Sequence, residues 1–569
     1  MKSDLYDTLT TAYIDDLDTD CPHPEYPRPS MVRESYLSLN GRWDFSSVAA
    51  GEAPNYKEKI LVPFPPESLL SGYNREIVRG SVLYYRRRFT LPEGFNVGRV
   101  LLHFGAVDTE AFVSVNGKEI GEHRGGYLPF SFDITRELSN GENEIVVRVV
   151  DRLSPIYPYG KQTRRRGGMW YTPVSGIWQS VWLESVHENY IEKLKITSGT
   201  ESVKIEITGG EKDKQLILDD GTVYEFSGDV ISVVPQKIEL WTPENPKLYN
   251  FTLRAGSDEV KSYFAMREVS IKEVSGTPRI CLNGEPYLFN GLLDQGYYPD
   301  GIFLPATYQG YEDDIRMSKS LGFNMLRKHI KIEPEIFYYL CDKIGIAVFQ
   351  DMVNNSRYSF FFDTALPTVG MKKFPDKYLH RNPESRKIFL RHMRDTIEHL
   401  HSFPSVVYYT IFNEGWGQFS ADAVYSIAKE CDPTRIIDAT SGWFIQNKSD
   451  VDSHHVYFKP IRIKKKSSRP IVISEFGGYS HRVPGHLYGK KNYGYRLFDE
   501  RCDFEDAFIR LYEEEVLPTI ELGVSALVYT QVSDVEDETN GLVTYDRRII
   551  KVNREKILPL MERIKSKIK

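Results

Sequence analysis

The hydrophobic pattern of this chain changes period near residue 273, and that change limits the possible folds more than any other feature of its 569 residues. Before it, short segments alternate polar and apolar side chains, as in Tyr84–Phe89, Val100–Phe104, Ala111–Val115 and Glu144–Val149. Asn116-Gly117 and Asn140-Gly141 punctuate them with turn signals. Side chains of a strand alternate between its two faces, so this text predicts an all-β sandwich from about residue 30 to 187, within a domain 1–187 that carries an N-terminal extension. A second run of the same kind, with Val203–Ile207 and a turn at Asp219-Asp220-Gly221, predicts an immunoglobulin-like sandwich over 188–272. From 273 to 569 the strands become continuous apolar runs separated by segments with helical spacing, among them Tyr311–Leu321, Arg386–His401 and Ala421–Glu430. Eight such runs follow in order: Tyr287–Asn290, Asn324–Arg327, Ala347–Gln350, Val406–Phe412, Ile436–Ala439, Val451–His454, Ile471–Ser474 and Ala526–Thr530. Parallel strands covered on both faces read this way, and eight of them predict a (β/α)8 TIM barrel. An open doubly wound sheet is the other fold compatible with the pattern, but no GxGxxG follows a strand.

A barrel of this kind places its chemistry at the C-terminal ends of the strands. The residues that close the eight runs are Asp294; Arg327 and His329; Asp351; Asn413 and Glu414; Ser441 and Trp443; His455 and Tyr457; Glu475; and Gln531, with Asp534 and Asp537 beyond it. Glu414 and Glu475 each follow an apolar run directly, so both should point into the same mouth. Paired carboxyls about 5–5.5 Å apart serve a retaining glycosidase, and a gap of about 6.5–9.5 Å leaves room for the water of an inverting one. Spacing in sequence does not measure that gap, and an ion pair with Arg327 is an alternative use for either glutamate.

The motifs around these carboxylates resemble glycoside hydrolase family 2, which contains β-galactosidases, β-glucuronidases and β-mannosidases. Phe412-Asn413-Glu414-Gly415-Trp416-Gly417 and Ser474-Glu475-Phe476-Gly477-Gly478 look like the family's acid/base and nucleophile motifs. Leu39–Phe45 and Ser175–Glu184 resemble its jelly-roll sugar-binding domain, and Leu240–Pro246 with Phe264–Arg267 resembles its immunoglobulin-like domain. The resemblance covers nearly the whole chain and implies a jelly-roll, an immunoglobulin-like sandwich and a catalytic barrel in that order. It implies an exo-acting retaining β-glycosidase, with Glu475 as nucleophile and Glu414, at a raised pKa, as acid and then base. By the same resemblance Asn413 would bind the sugar 2-hydroxyl and Tyr457 would hold the nucleophile, as Arg327 would by charge. His329, Asp351, His455, Trp443, Trp416 and Gln531 are the remaining candidates for sugar hydroxyls and the ring face. A β-galactosidase-like specificity is expected first, with a β-glucuronidase or another uronic-acid or pentose β-glycosidase as the alternative. The Asn-x-Lys motif by which the family's β-glucuronidases grip a carboxylate is missing from the barrel segment, although cationic runs occur at Arg164–Arg166, Lys464–Lys466 and Lys490-Lys491. A non-catalytic carbohydrate-binding protein is a further reading. No cofactor and no required metal are expected.

Composition narrows the remaining classes. Net charge is −7 over the whole chain, which gives no support to nucleic-acid or polybasic membrane binding. No apolar run approaches the length of a membrane span, and the acidic N-terminus lacks a secretory apolar core. Cys21, Cys281, Cys341, Cys431 and Cys502 are scattered and odd in number, which suits reduced thiols and a cytoplasmic location. A carbohydrate is the expected partner, and a homo-oligomer is an open expectation because large barrel glycosidases often complete a site with a second subunit. Aromatic residues make up 13% of the chain, and those at strand ends are the ones free to serve as sugar platforms.

Overall fold

Alternation in the first third becomes two facing antiparallel sheets in the computed structural model, which describes residues 9–361, 363, 375–463 and 467–568. A six-stranded sheet orders Glu58–Val62, Gly41–Ala49, Ser81–Phe89, Asn143–Val150, Glu110–Val115 and Lys118–Arg124. A four-stranded sheet orders Tyr36–Ser38, Val181–Val186, Arg99–Phe104 and Phe130–Asp133. Along Asn143–Val150 the inward residues Ile145, Val147 and Val149 are fully buried and join Trp43, Phe45, Tyr85 and Phe104 in one core. The middle segment forms sheets of three and four strands around Ile205, Leu216, Leu253 and Phe264, the strand count of a constant-type immunoglobulin-like sandwich.

The third part is a parallel barrel. Its strands are β1 (Phe289–Asp294), β2 (Met325–Lys328), β3 (Ala347–Asp351), β4 (Val406–Thr410), β5 (Ile436–Asp438), β6 (Asp452–Val456), β7 (Ile471–Gly477) and β8 (Val524–Thr530). Ladder pairing runs in the order β5-β4-β3-β2-β1-β8-β7-β6, so the sheet closes everywhere except between β5 and β6. There the backbone N–H of Asp450 donates to the Ile437 carbonyl and Ser453 Oγ donates to Asp438 Oδ1, 3.0 Å each. All eight apolar runs read from the sequence become strands, with ends shifted by up to four residues. β1 runs on to Asp294, and β7 runs past Ser474 to Gly477, which places Glu475 inside a strand.

Local chemistry sets the helices between them. Pro383–Leu400 starts where Asn382 Oδ1 accepts from the backbone N–H groups of Glu384 and Ser385, with Pro383 occupying the first position, where no N–H is needed. All five cysteines are unpaired thiols, and no described helix is long and apolar enough to cross a membrane. Lys464–Lys466 lies outside the described residues.

The domains meet through side chains of high sequence separation. Arg267 of the middle domain, fully buried, donates to the Pro404 and Val406 carbonyls at the foot of β4. Tyr263 Oη donates to Asp342 Oδ2, and Trp241 Nε1 to the Asp342 carbonyl. The jelly-roll segment 154–175 instead reaches the opposite, C-terminal end of the barrel.

Candidate active site

Glu475 owes its position to a bulge. His454 pairs with Ile473 and His455 with Glu475; on the other side Leu527 pairs with Ile473 and Tyr529 with Phe476. An extra residue on β7 is therefore accommodated at Ser474-Glu475 against both neighbours, and such a bulge re-aims the side chains it carries. The buried Ser474 carbonyl accepts Arg327 Nη1 at 2.8 Å, and the same nitrogen reaches Glu475 Oε1 at 3.1 Å. Tyr457 Oη donates to Glu475 Oε2 and lies 2.8 Å from Thr530 Oγ1. Tyr495 stacks on the Tyr457 ring, centroids 3.8 Å apart, and fixes its tilt.

Glu414 is placed by a turn after β4. The residue has a positive φ of 51°, a conformation that costs a non-glycine residue energy and recurs at functional sites. Gly415 follows with φ 70°, and a Cβ there would come 2.4 Å from the Phe444 ring, so no larger residue fits. Trp416 N–H donates to the Asn413 carbonyl and closes the turn. The Glu414 side chain keeps about a fifth of its surface exposed, whereas Glu475 keeps 5%.

Between the two carboxylates stands His455. Its Nε2 is 3.1 Å from Glu475 Oε1 and 3.7 Å from Glu414 Oε1. Ser474 Oγ donates to the His454 carbonyl at 3.1 Å, so it can receive the Nδ1 proton of His455 at 2.9 Å. That leaves Nε2 aimed at two carboxylates, an arrangement that is stable only with a proton among the three groups. Burial and the charge of Glu475 push the Glu414 carboxyl up, against the pull of His455. Burial would also raise Glu475, but His455 and Arg327 outweigh it and hold this carboxyl well below the ordinary range. Two equal side chains thus favour opposite protonation states.

Arg327 is the scaffold under this pair. It is fully buried and donates to Asp351 Oδ1 at 2.9 Å, Asn413 Oδ1 at 2.9 Å, the Ser474 carbonyl and Glu475, joining β2, β3, β4 and β7. With its oxygen on Arg327, Asn413 has its amide N–H groups left to donate. Asp351 spends its second oxygen on His329 Nδ1 at 2.7 Å, so both of its oxygens are used within the protein and it acts as a brace. Burial lowers His329 to about 4, keeping it neutral.

Three other candidates lie in different surroundings. The half-buried Trp443 ring is 6.1 Å from His455, beside the pair. Trp416 is only 4% exposed and packs edge-on against Tyr159, Trp170 and Tyr358, so its ring is spent on holding the jelly-roll segment. Gln531 is fully buried, with Nε2 donating to Glu538 Oε2 and Asn540 Oδ1, which ties down the loop after β8.

Sequence reading missed the jelly-roll contribution. Tyr159 and Gly160 donate their backbone N–H groups to the Asn354 carbonyl beyond β3; Tyr171 Oη donates to Glu538 Oε2 at 2.8 Å; Thr172 N–H donates to Glu536 Oε1. The signal available in the sequence was the Arg164–Arg166 run: Arg164 donates to the Ile77 carbonyl of the jelly-roll, and Arg166 pairs with Glu76 at 2.9 Å and donates to Tyr488 Oη of the barrel at 3.2 Å. Lys490 and Lys491 are exposed. Among the described residues one cluster could hold a metal ion, Glu414, His455 and Glu475, whose ligand atoms lie within 4.8 Å of one another; it coincides with the carboxylate pair.

Comparison with known proteins matches this geometry to one family. Three family models match in succession: "Glycosyl hydrolases family 2, sugar binding domain" over residues 71–186, "Glycosyl hydrolases family 2" over 190–267 and "Glycosyl hydrolases family 2, TIM barrel domain" over 279–565. A β-galactosidase of Thermoanaerobacter pseudethanolicus is 28% identical over 322 residues, covering 52% of this chain and 42% of the relative. The chain spans about half the length of the curated relatives it matches. Among solved structures, a β-D-glucuronidase from Dictyoglomus thermophilum superposes with a TM-score of 0.75 at 19% identity, covering 96% of this chain and 99% of the other. A β-galacturonidase from Eisenbergiella tayi, solved with galacturonate, reaches 0.67 at 20% identity, covering 96% and 99%. At these identities the structures share a fold with this protein, and the matching barrel model alone covers half of its length: the chain belongs to glycoside hydrolase family 2.

Proposed function

We propose that the protein is an exo-acting retaining β-glycosidase working by double displacement. The observation that carries this reading is the closeness of the two carboxyls, which have oxygens within 4.8 Å of each other. That spacing suits direct attack by one carboxylate on the sugar and leaves little room for the water of an inverting mechanism. Glu475, held ionised, attacks the anomeric carbon; Glu414, held protonated, delivers its proton to the departing oxygen. Glu414 then takes a proton from the water that cleaves the glycosyl ester. Tyr457 and Arg327 orient the Glu475 oxygens, and Asn413 offers an amide N–H to the 2-hydroxyl, a contact that strengthens as positive charge develops at the anomeric centre. With domain boundaries taken near 187 and 272, the contacts of segment 154–175 support a jelly-roll share in the site.

The relatives include both β-galactosidases and β-glucuronidases, so sugar identity is a matter for assay. The test is a panel of aryl β-galactoside, glucuronide, galacturonide, mannoside, glucoside and α-L-arabinopyranoside on wild type and Glu414→Ala. The alanine variant is expected to lose about 100- to 10,000-fold on substrates that need acid assistance and to regain turnover with azide. Sugar binding without turnover of any glycoside would instead favour a non-catalytic carbohydrate-binding protein.

A further inference from the structure

Segment 159–163 of the jelly-roll is fastened to the barrel mouth on one side and to its own domain on the other. Tyr159 and Gly160 bond the Asn354 carbonyl; a Cβ on Gly160 would lie 2.9 Å from the Ile330 carbonyl just past β2; Gln162 is buried, its Nε2 on Asp108 Oδ2 and Tyr127 Oη and its Oε1 on Val174 N–H. Between these anchors Lys161 is pinned by its own carbonyl, which accepts Tyr171 N–H at 3.1 Å, and its ammonium lies 5.8 Å from the Tyr171 ring centroid. The Tyr171 hydroxyl in turn holds Glu538, which also accepts Gln531 Nε2 from the end of β8. Lys161 is therefore a half-buried cation whose backbone lies between Ile330, just past β2, and Tyr171, which holds Glu538 in the loop after β8. Its ammonium makes no hydrogen bond or ion pair among the described residues. Its positive charge is nevertheless felt by Glu414, His329 and Glu538.

A rigidly mounted, unpaired cation at the edge of a sugar site calls for an anionic partner. A neutral hydroxymethyl group at C5 of a hexose needs none. A carboxylate at that position would enter a mouth already holding Glu414, Glu475 and Glu538, and desolvating it there without a counter-charge is costly. Arg327, the other cation close by, has its guanidinium committed to Asp351, Asn413, Ser474 and Glu475.

We propose that Lys161, contributed by the jelly-roll, binds the carboxylate of a terminal β-linked uronic acid, so that the preferred substrates of this site are uronides. The proposal rests on the glycosidase reading given above and names its substrate class.

The test compares wild type, Lys161→Met and Lys161→Arg on 4-nitrophenyl β-D-galacturonide, β-D-glucuronide, β-D-galactoside and 6-phospho-β-D-galactoside. Wild type is expected to prefer one of the uronides to the galactoside. Lys161→Met is expected to lower the ratio of the two kcat/KM values by about 30-fold or more, chiefly through KM, the size of effect seen when one member of a desolvated ion pair is truncated. Lys161→Arg should fall between the two, because it keeps the charge but changes its geometry. With wild type alone, the uronide KM should rise on going from low salt to 0.5 M NaCl while the galactoside KM stays level, a readout that stands even if the methionine variant does not fold. An unchanged ratio in Lys161→Met, or a wild-type preference for the galactoside, overturns the assignment and leaves the glycosidase reading standing. Preference for the phosphorylated sugar also overturns it, by moving the anion from carboxylate to phosphate. Failure of wild type to hydrolyse any of the four overturns the assignment, and the glycosidase reading falls with it only if the mannoside, glucoside and arabinopyranoside of the wider panel are not hydrolysed either.

Discussion

At Glu475 and Glu414 the surroundings separate two identical side chains, and the separation has a pH signature. The proposed double displacement needs Glu475 ionised and Glu414 protonated. The first is held below the ordinary carboxylate range and the second above it, so both conditions are met together in the window between them. Activity is expected to fall as pH drops through the lower transition and as it rises through the upper one, giving a bell in kcat/KM whose limbs belong to the coupled pair. Tyr457→Phe removes a hydrogen bond that favours the charged form of Glu475 and should move the acid limb to higher pH; an unmoved limb would count against that role. Glu475→Gln should abolish turnover by several orders of magnitude while circular dichroism stays native. Both glutamates were legible in the sequence because each directly follows an apolar strand run. The position of His455 between them was not, since it depends on the bulge opposite it on β7.

Elements explain where sequence reading stopped. The eight strands were legible because buried parallel strands are continuous apolar runs, and Asn382-Pro383 marks a helix start by chemistry local to it. The bulge at Ser474-Glu475 was not, because an extra residue in one strand is defined only against the register of its neighbours. Segment 154–175 reads as irregular sandwich text, and nothing within it announces that its backbone bonds to the loop after β3. Trp416 shows the consequence: its place in the motif predicted a sugar platform, and the jelly-roll aromatics Tyr159 and Trp170 occupy it instead. Gly160 tests this docking, since its φ of 63° and the nearby Ile330 carbonyl leave no room for a methyl group. Gly160→Ala is expected to lower kcat/KM at least about 10-fold, with a loss in Tm of a few degrees and an intact barrel by circular dichroism. Wild-type kinetics in that variant would show that the segment does not shape the site.

For the whole molecule, stability depends on carboxyl groups buried where domains meet. Asp342 joins the middle domain to the barrel through Tyr263 and Ser405, and burial pushes it up to about 7 against those hydrogen bonds. A carboxyl raised in the folded state keeps its full stabilising effect below its unfolded value near 4, and that effect is lost as pH rises through about 7. Asp342→Asn cannot titrate, so its deficit in Tm relative to wild type should shrink between pH 5 and pH 8, at up to about 1.4 kcal/mol per pH unit. Glu184 has the opposite sign. Burial would raise it, but Arg28, His103 and Tyr26 bring it down to about 2, so its contribution is present above its unfolded value near 4.5 and is lost as pH falls toward 2. Glu184→Gln should therefore cost most at neutral pH and least in acid, as thermal melts across that range would show. Composition carried none of this, because it depends on which carboxyls the docking of three domains removes from water.

The central claim is that Glu475 and Glu414 act as nucleophile and acid/base across a short gap. Proton NMR of the first-formed sugar, recorded during hydrolysis of whichever aryl β-glycoside the panel selects and before mutarotation, tests it most directly. A retaining double displacement predicts that the β-anomer appears first and the α-anomer grows in afterwards. Initial release of the α-anomer would contradict the mechanism and the roles assigned to both glutamates.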